Sequence, residues 1–250
     1  MANKKRAAGK RQGELFLDRG KGGRRTGAGR PRAPGRHRNW VRVRAELAKG
    51  APVHVTLRVV TAVGGLRRRR AYHAIRKAIY TTWARPDFRI VHVSIQREHV
   101  HLICEADDKR ALGGMQGFQI SAAQHLNAAV SIERKYAARR TGTVFPERYH
   151  VEQLTSRRQV RAAIAYVLNN WRHHGEHRAW PATAQIDPYA SGVLFDGWDR
   201  PHPFIPPESF VPLGTVRPQT WMLAHGWRMY GAIDPREVPG ERRDPLAVNA

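Results

Sequence analysis

Cysteine is almost missing from this chain. Cys104 is the only one in 250 residues, so no intramolecular disulfide can form and no cysteine-rich zinc site can be assembled. A reducing cytoplasm fits that usage. Long apolar runs are missing too. Nowhere do 18 apolar residues stand together, and the charged N-terminus has no hydrophobic segment behind it, which argues against a membrane span or a secretory signal. The third scarcity is of acids: 20 Asp and Glu face 44 Lys and Arg, a formal net charge of +24. So many uncompensated cations repel one another unless a polyanion is nearby, which makes nucleic acid the first partner to consider. The imbalance is uneven, with sixteen Lys or Arg against three acids within residues 1–50.

What is present suggests one domain with extensions. Residues 1–50, typified by "RGKGGRRTGAGRPRAPGRHR", hold too few apolar side chains to offset the entropy of ordering and read as a disordered basic arm. Within it Arg30 and Arg32 of "GRPR" match the core of an AT-hook, which lies in a narrow minor groove; a generic polycation has the same composition. Order begins at "VHVTLRVV", where Val53, Val55, Leu57 and Val59 alternate with polar residues at the period of a half-buried strand. After Gly64-Gly65, Ala71, Ile75, Ala78, Ile79 and Thr82 fall at helical spacing, led in by Arg67, Arg68, Arg69 and Arg70 and closed by Pro86. "FRIVHVSI" and "HVHLICEA", joined by Gln96-Arg97-Glu98, read as a hairpin. A second helix is expected over roughly 110–130, a strand over 148–154 and a third helix over 157–174.

Strand, helix, strand, strand, helix, strand, helix is the split βαβ, ferredoxin-like order. The expectation is an α+β domain over 51–178, an antiparallel sheet with helices on one face. Eleven of the sixteen prolines lie beyond Trp180, so 179–250 reads as an irregular Pro-rich extension with a short helix near 218–231.

Side chains alternate across a strand, so His99 and His101 project together while Val100 and Leu102 face a core. Two neutral imidazoles on one side of a strand can converge on a cation, although a solvent face of an antiparallel sheet could carry the same pair. In the third helix Val160, Ile164, Val167, Leu168 and Trp171 gather in one stripe. Tyr166 lies away from it, with Asn170 one turn on and small Ala162 and Ala165 beside it.

With both features in one ferredoxin-like pattern, residues 52–174 resemble the single-tyrosine HUH transposases, the insertion-sequence-200-like group, especially its REP-associated tyrosine transposase branch. The likeness is carried by "VHVTLRV", "HVHLI", "GMQGFQISAAQHLN" followed by "GTVFPERYH", and "AYVLNN". It implies cleavage of single-stranded or hairpin DNA by a tyrosine hydroxyl, leaving a 5′-phosphotyrosine and a free 3′-OH. Tyr166 would be the nucleophile, with His99, His101 and Asn170 holding Mg²⁺ or Mn²⁺. Trp171 stands where the branch commonly has proline, and Asn169 is a second amide at the same place. Family members act as monomers or as homodimers.

Other chemistry can be written on the same chain. Tyr149, between Arg148 and His150, is a rival nucleophile, and Arg148 and Tyr149 are alternatively contacts to DNA phosphate or base. His54 and His92 each open a His-x-Thr/Ser element like that of two-histidine RNA phosphoesterases, which need no metal. A non-catalytic basic module using Arg67–Arg70 as a phosphate track on single strands is the third reading.

Overall fold

The computed structural model describes residues 48, 50–181, 184–201 and 210–240. Arg30 and Arg32, with nearly all of the basic arm, lie outside them. β1 (Val53–Arg58) buries every second residue, as its alternation requires. α1 (Arg69–Tyr80) leads into a turn before β2 (Phe88–Ile95) and β3 (His99–Ala106), an antiparallel hairpin closed by Gln96 N–H donating to the His99 carbonyl at 2.8 Å. α2 (Gly114–Glu133) begins against Phe88 so closely that a Cβ on Gly114 would sit 2.3 Å from the ring, which only glycine permits. β4 (His150–Gln153) and α3 (Arg157–His173) follow. Ser156 and Gln159 start α3 with a capping box: the serine hydroxyl accepts from Gln159 N–H and the glutamine oxygen from Ser156 N–H.

The strand order is β2-β3-β1-β4, every neighbouring pair antiparallel, so β1 and β2 run parallel with β3 between them. This is the split βαβ sheet expected of the α+β class. The helices, however, are distributed over both faces. Val53, Val55, Leu57, Val100, Leu102 and Cys104 form one core with α1 and α2. The opposite face, through Val91 and Ile103, packs on Val160, Ile164, Val167 and Leu168 of α3. Periodicity reports the width of an apolar stripe and not which side of the sheet receives it. The histidine face is thereby the α3 face.

The extension packs into the same compact unit as the sheet. It carries α4 (Trp221–Ala224) and a 3₁₀ turn at Gly226–Tyr230 whose Trp227 is fully buried against α3. Residues near 190 cover the outer edge of β2: Ile95 N–H donates to Tyr189, Ser94 bridges Ala190, and Ser191 Oγ accepts from Val93 N–H. Two buried acids fasten the extension. Glu105 accepts from the Gln219 and Thr220 N–H groups and from Arg89, and Asp187 accepts twice from Arg67. No helix among the described residues is long and apolar enough to cross a membrane.

Candidate functional site

Cross-strand register builds the site. His101 stands opposite Thr56 and His99 opposite Arg58, while His54 pairs with Ile103 on the same face. Three imidazoles therefore line up across β1 and β3: His54 and His101 stack with centroids 5.5 Å apart, and His101 and His99 at 6.2 Å. His101 Nδ1 lies 3.2 Å from Thr56 Oγ1 and 3.3 Å from His54 Nε2, so one ring nitrogen is occupied within the protein and Nε2 is left to meet a ligand. Burial pushes the His101 pKa down to about 3, with His54, His99 and His174 adding to the effect. His99 is lowered by burial and then by Arg58, and His54 by burial against the opposing pull of Glu152. All three rings are thus disposed to be neutral at pH 7, the form in which imidazole donates a lone pair.

α3 lays Tyr166 onto this row. Its ring meets His101 edge-on at 5.3 Å and His54 at 5.7 Å. A cavity of about 530 Å³ opens beside it, lined by His54, Thr56, His101, Ala162, Ala165 and the Arg161–Glu237 ion pair. The small side chains of Ala162 and Ala165 leave that room. Two turns along α3, His174 interacts electrostatically with His99 and His101. Asn170 stands between Tyr166 and His174 on that stripe, fully buried, and neither its Oδ1 nor its Nδ2 has a hydrogen-bond partner. A buried amide without partners is unusual and asks for a ligand. Asn169 is engaged elsewhere, its Nδ2 donating to the Asp234 carbonyl of the extension.

Among the described residues no group of three or more His, Cys, Asp or Glu side chains is gathered to hold a metal. The available donors are two neutral imidazole nitrogens and an amide oxygen whose lone pairs are unspent. Such a set fits a hard divalent cation only with phosphate and water oxygens completing the shell.

Other expected residues are placed elsewhere. Tyr149 packs against the α1/α2 core and donates to the Leu112 carbonyl at 3.3 Å, on the face away from the histidines. Arg148 is exposed. β1 and β2 are not neighbours: β3 separates them, so His54 and His92 both look across at Ile103. His92 is buried edge-on against Phe195. The two-histidine phosphoesterase arrangement is therefore not formed. The Arg67–Arg70 run does not project as one track either. Arg67 is clamped by Asp187 at 2.8 and 2.9 Å, pairs with Glu176 at 2.5 Å and stacks on Tyr189, and Arg68 pairs with Glu133 and donates to the Gly65 and Val63 carbonyls. Arg69 and Arg70 are exposed.

No family model and no curated protein matches the chain. Among solved structures, a REP-associated tyrosine transposase bound to a REP hairpin overlaps 60% of this chain and 81% of its own, with 16% identity and a TM-score of 0.40.

Proposed function

We propose that the protein nicks single-stranded DNA and transfers strands through a covalent intermediate on Tyr166, with a divalent cation held by His99, His101 and Asn170. The observation that carries this reading is Tyr166 set edge-on against His101 and His54 of its own chain beside an open cavity. A phenol ordinarily titrates near ~10 and attacks a phosphodiester poorly unless charge on the phosphate is offset. The cation, when bound, supplies that by polarising the scissile phosphate.

The chain's own residues do the rest. Thr56 and His54 fix the His101 ring through Nδ1, α3 aims Tyr166 across the histidines, and the cavity admits the strand. Tyr166 Oη attacks phosphorus, the bond to the 3′ oxygen breaks, and the phenol loses one proton while the departing 3′-OH gains one. The phosphotyrosine keeps the free energy of the broken bond, so a 3′-OH can reverse the step without ATP. Because nucleophile and histidines belong to one chain, a single copy holds the whole set.

The test is to incubate protein with labelled single-stranded hairpin DNA flanking its gene and Mn²⁺, and to resolve the products under denaturing conditions. Wild type should give a protein-linked DNA band and Tyr166→Phe none. A band that persists in Tyr166→Phe, or full activity in His99→Ala, would overturn the assignment. Binding without any covalent product would leave a non-catalytic single-strand binding protein.

A further inference from the structure

A second cavity, of about 730 Å³, opens at the C-terminal end of α3. It lies at the end of the α3 stripe that carries Tyr166 and Asn170, because His174, the residue that caps the helix, lines it. Gly175, at φ 68°, ends the helix in a left-handed turn that brings 176–180 back as one wall. The β2–β3 turn supplies the other through Arg97, two residues ahead of His99.

The lining is not generic. Arg67 and Arg68 are already neutralised by Asp187, Glu176 and Glu133. Arg97 is exposed; the Glu176 carboxylate accepts from its main-chain N–H, while among the described residues no carboxylate stands within ion-pair distance of its guanidinium. The Tyr189 ring is covered by the Arg67 guanidinium at 4.6 Å and meets Tyr72 edge-on. Trp180 is different: it lines the cavity and keeps 38% of its surface exposed. A partly exposed indole and a guanidinium with no ion pair, in a space of ligand-pocket size, match a base and the phosphate attached to it.

We propose that this cavity takes one unpaired nucleotide of the DNA strand next to the scissile phosphate, its base stacked on Trp180 and its phosphate held by Arg97. The proposal rests on the single-stranded DNA reading above. It assigns register: the strand crosses Tyr166 with one base parked beyond the histidines, so that the reacting phosphate is held from both sides.

The experiment uses the full chain with Mn²⁺ and the flanking single-stranded hairpin DNA, in which 5-iododeoxyuridine replaces one nucleotide at a time. Ultraviolet cross-linking is followed by peptide mapping, with the covalent adduct at Tyr166 scored in parallel. One position should cross-link to Trp180. Trp180→Ala should bind the same DNA roughly 10-fold more weakly, with Trp180→Phe restoring most of the affinity, since stacking needs a flat face rather than an indole. Arg97→Gln should lower the slope of log K against log salt by about 0.7, one phosphate contact on a single strand. An adduct at Tyr166 with no cross-link to Trp180 at any position overturns the pocket and leaves the catalytic reading standing. A cross-link at Trp180 with no adduct supports the nucleotide pocket and removes the catalysis.

Discussion

Asp187→Asn tests whether Arg67 belongs to the architecture or to the proposed DNA-binding surface. Asp187 is fully buried and accepts from both terminal nitrogens of Arg67, at 2.9 and 2.8 Å, and from Tyr189 N–H at 2.9 Å. Arg67 also donates to the Ile95 carbonyl at 3.0 Å, so this one pair ties the loop before α1, the edge of β2 and the extension. The substitution keeps the shape, removes the charge and turns an amide donor toward a guanidinium donor. Removing one partner of a buried pair costs about 3–5 kcal/mol. Glu176 still faces Arg67, which places the expected cost at the lower end, about 3 kcal/mol. For a folded unit of this size that is a fall in Tm of roughly 6–12 °C. The assay is thermal unfolding by circular dichroism, paired with single-stranded DNA binding at several salt concentrations below the variant's Tm. The slope of log K against log salt should be unchanged in Asp187→Asn, whereas Arg70→Gln, at an exposed position, should leave Tm alone and reduce the slope by about 0.7. A Tm within about 2 °C of wild type, together with a slope altered as in Arg70→Gln, would refute the architectural role.

Three further outcomes are expected. Asn170→Leu replaces an unpartnered buried amide with an apolar side chain of similar volume, so the metal-free protein should gain about 1 kcal/mol, and the variant should show none of the rise in Tm expected of wild type on adding Mn²⁺; a loss of more than about 2 kcal/mol would show that the amide is hydrogen-bonded after all. Burial holds the His92 pKa down to about 4. The unfolded chain therefore takes up a proton between pH 6.5 and 4 that the folded chain refuses, and stability present above pH 6.5 is lost as pH falls, by about 3 kcal/mol for this group. His92→Leu should close that part of the gap between wild type and variant on going from pH 7 to 4, measured by urea unfolding; an unchanged gap would contradict the burial. Tyr149→Phe should form the covalent adduct in full yield and lose no more than about 1 kcal/mol, the value of its bond to Leu112, while loss of the adduct would make Tyr149 the nucleophile.

The elements were legible in the sequence to within a few residues. β2 and β3 coincide with "FRIVHVSI" and "HVHLICEA" because two apolar runs joined by a short polar turn read directly as a hairpin, whereas the register shift between Ile90 and His92 leaves no mark in them. The pairing of His99 with His101 follows from the period of two alone. Tyr166 meeting them does not, since it depends on α3 crossing the face opposite α1 and α2. His54 stands in the sequence as a candidate for different chemistry, because nothing local shows that β1 lies against β3 and so beside His101. The fastening acids were illegible for the same reason. Glu105 and Asp187 resemble any surface carboxylates until partners more than a hundred residues away arrive to bury them. Arg67 and Arg70, three positions apart in one basic run, part company only when one of them finds Asp187.

The strip of chain along the outer edge of β2 has a practical meaning for anyone dividing this protein. Cutting after the last residue of the family-like stretch, near 174, would strip Ile95, Ser94 and Val93 of their outer partners and take the Gln219 and Thr220 donors from Glu105, leaving it Arg89. An uncovered edge of that kind pairs with whatever strand it meets, usually another copy of itself. The minimal catalytic fragment suggested by resemblance is thus a recipe for precipitate, and the segment that looks dispensable by composition is what keeps the sheet a private one.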